Sequence, residues 1–155
     1  MYSLSLFDET EMEIVKAFCK GSVENSKLRK ELNLSESTIC YRLKAIRLKM
    51  HANDLEELAY KFCSLRFIEE FPSDNLAQYY STSFTETEQK ILRLICQGIY
   101  KPRLIANCIN CKISTVKTHL GNIRNKLHCS KTAEVIIKVF QSGIARKLSD
   151  NASPS

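Results

Sequence analysis

Turn-forming residues are scarce in this sequence: it has four glycines and three prolines among 155 residues, and tryptophan is absent. This scarcity argues against a sheet protein with many tight turns and favours a helical fold. No stretch approaches the roughly 18 to 20 consecutive apolar residues that a membrane-spanning helix requires. The N-terminal residues MYSLSLFDETEM show neither the basic start nor the apolar core of a secretion signal. These absences predict a cytoplasmic, helical protein that does not associate with a membrane.

Positive charge is concentrated in the second half of the chain. Residues 1 to 78 contain 11 Lys and Arg against 13 Asp and Glu, a net charge of −2, whereas residues 79 to 155 contain 12 against 4, a net charge of +8. A basic region favours a polyanionic partner, because Lys and Arg neutralise phosphates. Ordinary surface charge that keeps a protein in solution is the alternative explanation, and the count alone does not choose between the two.

An internal repeat is the strongest feature of the sequence. A shift of 77 residues aligns Phe7–Phe62 with Phe84–Val139 without a gap, and 17 of the 56 aligned positions are identical. Two copies are too few for a solenoid, so the repeat predicts two small domains in tandem. We predict a first domain over residues 1–71, a linker over 72–83, a second domain over 84–146 and a disordered tail over 147–155.

Each copy is predicted to form four helices. The first helix begins after Asp8 in one copy and after Thr85 in the other, each with a glutamate three residues later that completes a capping box. Pro102 suits the first turn of the second helix in the second copy. A tight turn then leads to the third helix.

The fourth helices are predicted to hold the two copies together. In the first copy this helix begins after Asn53 or Asp54 and continues to about Glu70, and in the second it covers Thr132 to about Ser142. The apolar residues predicted to form the contact between domains or between subunits are Leu55, Leu58, Phe62, Val135, Ile136 and Val139.

The third helix of each copy has two different faces. Apolar residues recur on one face at helical spacing; they are Ile39, Leu43, Ile46 and Met50 in the first copy and Val116, Leu120, Ile123 and Leu127 in the second. The opposite face offers cations, hydroxyls, amides and small side chains, which suit the phosphates and base edges of DNA. Together with the preceding short helix and turn, this pattern indicates a helix-turn-helix. A solvated helix face is the alternative.

The second copy resembles the LuxR/GerE-type helix-turn-helix domain over about 55 residues, through FTETEQKILRLICQG and STVKTHLGNIRNKLHCSKTAE. The first copy looks like a diverged member, with Cys40 and Arg42 at the positions of the family's lysine and histidine. The resemblance implies an all-α fold of two tandem four-helix domains. In each, the third helix would enter the major groove and the fourth would often mediate dimerisation.

The resemblance also implies which side chains meet DNA: Lys117, Thr118 and Gly121 face the bases, and Arg124 and Lys126 lie near phosphates. The whole set predicted to contact DNA in the second copy is Lys112, Ser114, Thr115, Lys117, Thr118, His119, Gly121, Asn122, Arg124, Asn125 and Lys126. The corresponding set in the first copy is Ser37, Thr38, Cys40, Tyr41, Arg42, Lys44, Arg47 and Lys49.

A zinc site and an enzyme are the other functions considered. Cys108 and Cys111 form a CxxC pair, with His128 and Cys129 downstream. However, Cys111 aligns with Leu34 in the repeat, and the first copy has no CxxC. The chain also shows no catalytic constellation and no glycine-rich phosphate loop. We therefore predict no metal, no cofactor and no enzymatic activity, and reduced thiols throughout.

The prediction from sequence is a bacterial, sequence-specific DNA-binding transcriptional regulator whose partner is double-stranded DNA. The third helix of the first copy carries four cations against one glutamate, which favours DNA contact by both copies, arranged as a monomeric pseudo-dimer. A homodimer is the alternative assembly. The alternative function gives DNA binding to the second copy alone and makes the first a protein-interaction module, for dimerisation or for contact with RNA polymerase. No sensor domain is recognised, so we expect control by abundance or by a partner.

Overall fold

The structure, a computed structural model, describes residues 6–65 (the first half) and 84–141 (the second half). Every regular element in these two ranges is a helix: α1 Glu9–Cys19, α2 Asn25–Leu32, α3 Glu36–Lys49, α4 Leu55–Ser64, α5 Glu86–Cys96, α6 Pro102–Ile109, α7 Ile113–Leu127 and α8 Thr132–Gln141. No helix in these ranges is both long enough and apolar enough to cross a membrane. The predicted linker and tail, and the outer ends of both predicted domains, lie outside the described residues.

The helices of the two halves begin at equivalent positions of the sequence repeat. The helices of the second half begin at Glu86, Pro102, Ile113 and Thr132, each 77 residues after a helix start in the first half. The left-handed backbone positions recur at the same interval, since φ is 55° at Asn33 and 56° at Asn110. Asparagine tolerates this conformation better than most residues and ends the second helix of each half. The aligned positions therefore have the same local structure.

The predicted N-terminal caps are confirmed, but the capping boxes are not completed as predicted. Asp8 Oδ1 accepts a hydrogen bond from the backbone N–H of Glu11 at 2.8 Å, and Thr85 Oγ1 accepts one from Glu88 at 3.2 Å. The glutamate side chains, expected to return to the first residue of each box, bind lysines instead. Asp54 is the N-cap of α4, within the predicted start.

The predicted apolar stripes of the third helices are confirmed as core. All eight stripe residues of α3 and α7 are buried. In the first half an aromatic cluster completes the core, in which the Phe62 ring lies 5.9 Å from Phe18 and 6.4 Å from Phe7, both edge-on. Phe62, one of the residues predicted for the contact between the copies, is fully buried in this cluster.

Helix α4 is shorter than the sequence predicts. It ends at Ser64 with Leu65 as C-cap, whereas the apolar spacing predicts a helix to about Glu70. The Ser64 hydroxyl donates to the carbonyl of Tyr60 at 2.7 Å, within the last turn of the helix. Residues 66–70 lie outside the described part of the chain.

Helices α4 and α8 pack on each other and join the two halves, in the most extensive helix–helix contact of the described chain. The Tyr60 ring of α4 lies 6.1 Å from Phe140 of α8, edge-on, and 6.0 Å from Tyr100. Cys63 Sγ lies 4.0 Å from the carbonyl oxygen of Ile136. We call this contact the junction. Among the residues predicted for this contact, Ile136 approaches Cys63 through its backbone carbonyl, while Tyr60, Cys63 and Phe140 were not predicted.

Polar contacts flank the junction on both sides. Lys101, before α6, forms an ion pair with Asp54 at the start of α4. Lys27 of α2 lies 3.6 Å from the buried carboxylate of Glu134 in α8. Near the end of α8, the Gln141 amide donates to the carbonyl of Cys19. The first half thus contacts the second through several helices as well as through α4.

Substitution of Gly98 by alanine should loosen the junction. Gly98 has φ +89°, and an added Cβ would lie 3.0 Å from Tyr60 Cζ, in a ring already confined by Tyr100 and Phe140. Gly21 is the matched control, because it has φ +115° but nothing within 4 Å of the added Cβ. Both variants incur backbone strain of about 1 kcal/mol. We expect Gly98→Ala to lower the urea midpoint further than Gly21→Ala; equal midpoints would contradict the contact.

Candidate nucleic-acid interface

Helix α7 presents a polar face to solvent because its apolar stripe is anchored on α5, α6 and α8. Most of its predicted DNA-contacting side chains are exposed: Lys112, Ser114, Thr115, Lys117, Thr118, Asn122 and Asn125. His119, Gly121, Arg124 and Lys126 are half-buried. The exposed set combines two cations, hydroxyls and amides within about four helical turns, which is the chemistry needed to meet phosphates and base edges.

Small and internally bonded groups shape the middle of this face. Thr118 Oγ1 donates to the carbonyl of Ser114 at 3.1 Å, so its hydroxyl is turned onto the helix and its methyl group is left outward. A Cβ added to Gly121 would meet only the Arg124 guanidinium, at 3.8 Å. The absence of a side chain at Gly121 leaves a shallow depression in the helix surface, which would allow close approach of another backbone.

Arg124 lies at the edge of the face, where α7 meets the start of α8. Its Nη1 donates to Thr132 Oγ1 at 3.4 Å, a long hydrogen bond that fixes the guanidinium only loosely. Arg124, Lys117 and Lys101 line one cavity of about 310 Å³, which also borders α4 of the first half. The cavity continues the basic face of α7 toward the junction.

Lys126 and Lys49, both predicted to contact DNA, form ion pairs with buried glutamates within their own halves. Lys126 Nζ lies 2.7 and 2.8 Å from the two carboxylate oxygens of Glu88, whose side chain is 3% exposed. Lys49 Nζ binds the equally buried Glu11 at 2.8 Å in the first half. A buried carboxylate needs a counter-charge, and these lysines supply it. They fasten the third helix of each half to the first.

A second pair of matched lysines caps the third helices. Lys61 Nζ donates to the carbonyls of Met50 and His51 at the end of α3, at 3.0 and 2.7 Å. Lys138 donates in the same way to the Leu127 carbonyl at the end of α7. A cation at a helix C-terminus stabilises the exposed carbonyls and the helix dipole. Lys61 and Lys138 occupy the same aligned position in the two copies, which could have indicated a shared structural role, but this role was not predicted.

The outward face of α3 is more apolar than that of α7. Tyr41 is 70% exposed and Leu48 68% exposed, and Cys40, Lys44 and Ser37 are also exposed. The other predicted DNA-contacting residue near the start of α3 is Thr38, which is half-buried beside its N-cap.

Most of the positive charge of α3 is engaged by other groups of the first half. Arg42 forms an ion pair with Asp8 and stands 5.9 Å from the Tyr41 ring centre, and Arg47 donates to the carbonyl of Asn53 at 3.2 Å. Lys49 is paired as described above. The net charge of this helix, taken as support for DNA contact by both halves, therefore overstates the cations available to a phosphate.

The cysteines differ in their exposure to solvent. Cys40 and Cys108 are exposed, whereas Cys19 and Cys129 are buried. Burial raises the pKa of the Cys19 thiol to about 12, so it stays protonated and unreactive. Across residues 6–65 and 84–141, no three His, Cys, Asp or Glu side chains are arranged to hold a metal ion.

Residues 82–139 match the family described as bacterial regulatory proteins, luxR family. The response regulator protein VraR of Staphylococcus aureus is 40% identical over 60 residues, and those of Staphylococcus saprophyticus and Staphylococcus epidermidis have the same identity. The match covers 39% of this chain and 28% of each relative, so the chain spans under a third of their length. No solved structure matches. Residues 82–139 therefore form a luxR-family domain, and residues 1–81 lie outside this match.

Proposed function

We propose that this chain is a DNA-binding transcriptional regulator whose helix α7 enters the major groove. The observation that carries the proposal is the exposed row of Lys117, Asn122 and Asn125 beside Arg124, on a helix whose other side is buried. Lysine and arginine suit phosphates and guanine, and asparagine pairs with adenine. The luxR-family match over residues 82–139 supports the same function. Such a regulator would act in the cytoplasm.

We further infer that residues 1–71 and 84–146 are tandem helix-turn-helix domains, connected by 72–83, that act as a pseudo-dimer within one chain. The matched helix positions and the α4–α8 contact support this assembly. Two reading helices in a dimer address half-sites about one helical turn, roughly 34 Å, apart. Because α3 and α7 expose different side chains, the target would be a pair of unlike half-sites. In this proposal α7 binds strongly and α3 weakly.

The alternative function makes the first half a protein-interaction module. The exposure of Tyr41 and Leu48, seven residues apart on one face of α3, favours this candidate, as does the internal pairing of Arg42. Aromatic and aliphatic side chains are typical of protein interface centres. RNA polymerase or a dimerisation partner would then contact α3, and α7 alone would bind DNA.

Selection from a random DNA library at several salt concentrations tests both versions. One variant carries Lys117→Ala and Arg124→Ala, and the matched variant carries Lys44→Ala and Arg47→Ala at the first-half face. We expect the second-half variant to lose about 100-fold in affinity and the first-half variant about tenfold, each with a flatter salt dependence. Thermal unfolding of each variant serves as the folding control.

The outcomes separate the candidates. Loss of affinity in both variants supports DNA contact by both halves. An unchanged affinity and salt dependence in the first-half variant, together with a strong loss in the other, assigns DNA binding to α7 alone. Failure of the wild-type protein to bind any duplex at low salt contradicts the proposed function.

A further inference from the structure

A cavity of about 310 Å³ lies between the start of α4 in the first half and helices α6 and α7 in the second. The second half lines it with three cationic side chains, Lys101, Lys117 and Arg124, together with the Thr132 hydroxyl. The first half contributes one residue to the wall, the acidic Glu56. A space lined by three cations, two from α7 and one from the residue before α6, is suited to a tetrahedral oxyanion.

One carboxylate of the first half already pairs with one of these cations. Asp54 forms an ion pair with Lys101, and Glu56 and Glu57 follow in the first turn of α4. Burial alone would raise the pKa of Asp54, but the hydrogen bond from Lys101 and the backbone bond from Glu57 hold it below its usual value. The Asp54 hydrogen bond likewise raises the pKa of Lys101. The ion pair therefore persists at neutral pH.

The matching place in the first half has a different charge. At the aligned positions Glu24 replaces Lys101 and Cys40 replaces Lys117, and only Arg47 remains as a cation. The residue aligned with Glu56 is Ala133, so the second half offers no carboxylate there. The basic cavity and the acidic helix start that faces it are thus a one-sided feature of an otherwise repeated structure.

We propose that this cavity is the seat of a DNA backbone phosphate, and that Asp54 and Glu56 compete with that phosphate for the surrounding cations. The inference rests on the proposed function, because the cavity shares Lys117 and Arg124 with the face of α7 that meets DNA. In the free protein a carboxylate already neutralises Lys101, so DNA binding exchanges one anion for another there. The first half thereby limits the affinity of the second half for any duplex, independently of sequence.

The test is DNA binding by the Asp54→Asn, Glu56→Gln variant. Asparagine caps a helix about as well as aspartate, so α4 should keep its start. We expect about tenfold tighter binding near 0.1 M salt, and a plot of log affinity against log salt steeper by about one unit, since a freed cation then neutralises a phosphate. The control variant, Glu9→Gln with Glu13→Gln, changes the net charge equally at exposed positions of α1, and should gain less than about twofold.

A double-mutant cycle with Lys101→Gln excludes a general charge effect. If the carboxylates act through this cation, their removal should gain much less affinity in the Lys101→Gln background, because the two changes are coupled. Equal gains in both backgrounds, no gain, or a gain no larger than that of the control overturn the inference. Each of these results still leaves wild-type binding intact, whereas absence of wild-type binding is the failure of the proposed function itself.

Discussion

Replacement of Lys126 by methionine should destabilise the second half by about 2 to 3 kcal/mol. Loss of a partner from a fully buried ion pair would cost more, but the Lys126 ammonium is partly exposed to solvent. The variant leaves the Glu88 carboxylate buried without the cation that contacts both of its oxygens. Restoring neutrality with Glu88→Gln in the same chain should recover most of the loss, because a neutral amide is far cheaper to bury. Urea unfolding followed by circular dichroism measures both free energies of unfolding.

DNA binding by the double variant, Glu88→Gln with Lys126→Met, distinguishes a structural role for Lys126 from the phosphate contact that the sequence predicts. We expect the Glu88→Gln, Lys126→Met protein to bind DNA within about twofold of wild type once it is folded, since no phosphate-binding cation has been lost. Strongly weakened DNA binding by this folded double variant would contradict the structural role. Failure of Glu88→Gln to restore any stability would contradict the buried pair.

The second large effect is expected at Phe62, where substitution by alanine should cost about 3 to 5 kcal/mol. The Phe62 side chain is fully buried and meets Phe7 and Phe18 edge-on, so its removal opens a cavity inside the first half. Because the backbone of α4 also forms the junction, the loss should loosen the contact with α8. The free energy of unfolding in urea is the direct measurement.

Leu65→Ala is the control for this prediction. Leu65 directly follows α4, but its side chain is 39% exposed, so its truncation should cost less than about 1 kcal/mol. If Phe62→Ala were no more costly than Leu65→Ala, the aromatic cluster would not be the core of the first half.

Helix positions and buried faces could be predicted from the sequence because they depend on local rules. An acceptor at Asp8 or Thr85 and apolar residues at helical spacing specify where a helix begins and which side it buries. The 77-residue repeat doubled this information, since each pattern could be checked in a second copy. The end of α4 was not predictable in the same way, because no glycine or proline marks it and the first such residue after Ser64 is Pro72.

The roles of the repeated lysines could not be read from spacing. Lys126 and Lys117 are both basic residues of one helix, and only the fold shows that one of them lies against the buried Glu88. The Glu11–Lys49 and Glu88–Lys126 pairs, identical in both copies, maintain the architecture of each half. The outward faces differ where Cys40 and Tyr41 stand in place of Lys117 and Thr118.

Repetition also gives no guide to the junction. Tyr60 aligns with Ile137 and Cys63 aligns with Phe140, so the residues that meet there have no counterpart of the same type in the other copy. Helices α4 and α8 are aligned copies of each other, but the residues that meet across the junction are not aligned with each other: Tyr60 meets Phe140, which aligns with Cys63. The alignment of the copies therefore does not show which residues form the contact. The ion pair of Asp54 with Lys101 is likewise unique to one side.

The molar mass of the protein–DNA complex, measured by light scattering at micromolar concentration on a duplex chosen from the library, tests the central claim most directly. A pseudo-dimer predicts one chain per duplex and a monomeric free protein, because α4 and α8 already occupy each other. Two chains per duplex, or a clean dimer without DNA, would contradict a pseudo-dimer within one chain. Absence of any complex at low salt would contradict DNA binding altogether.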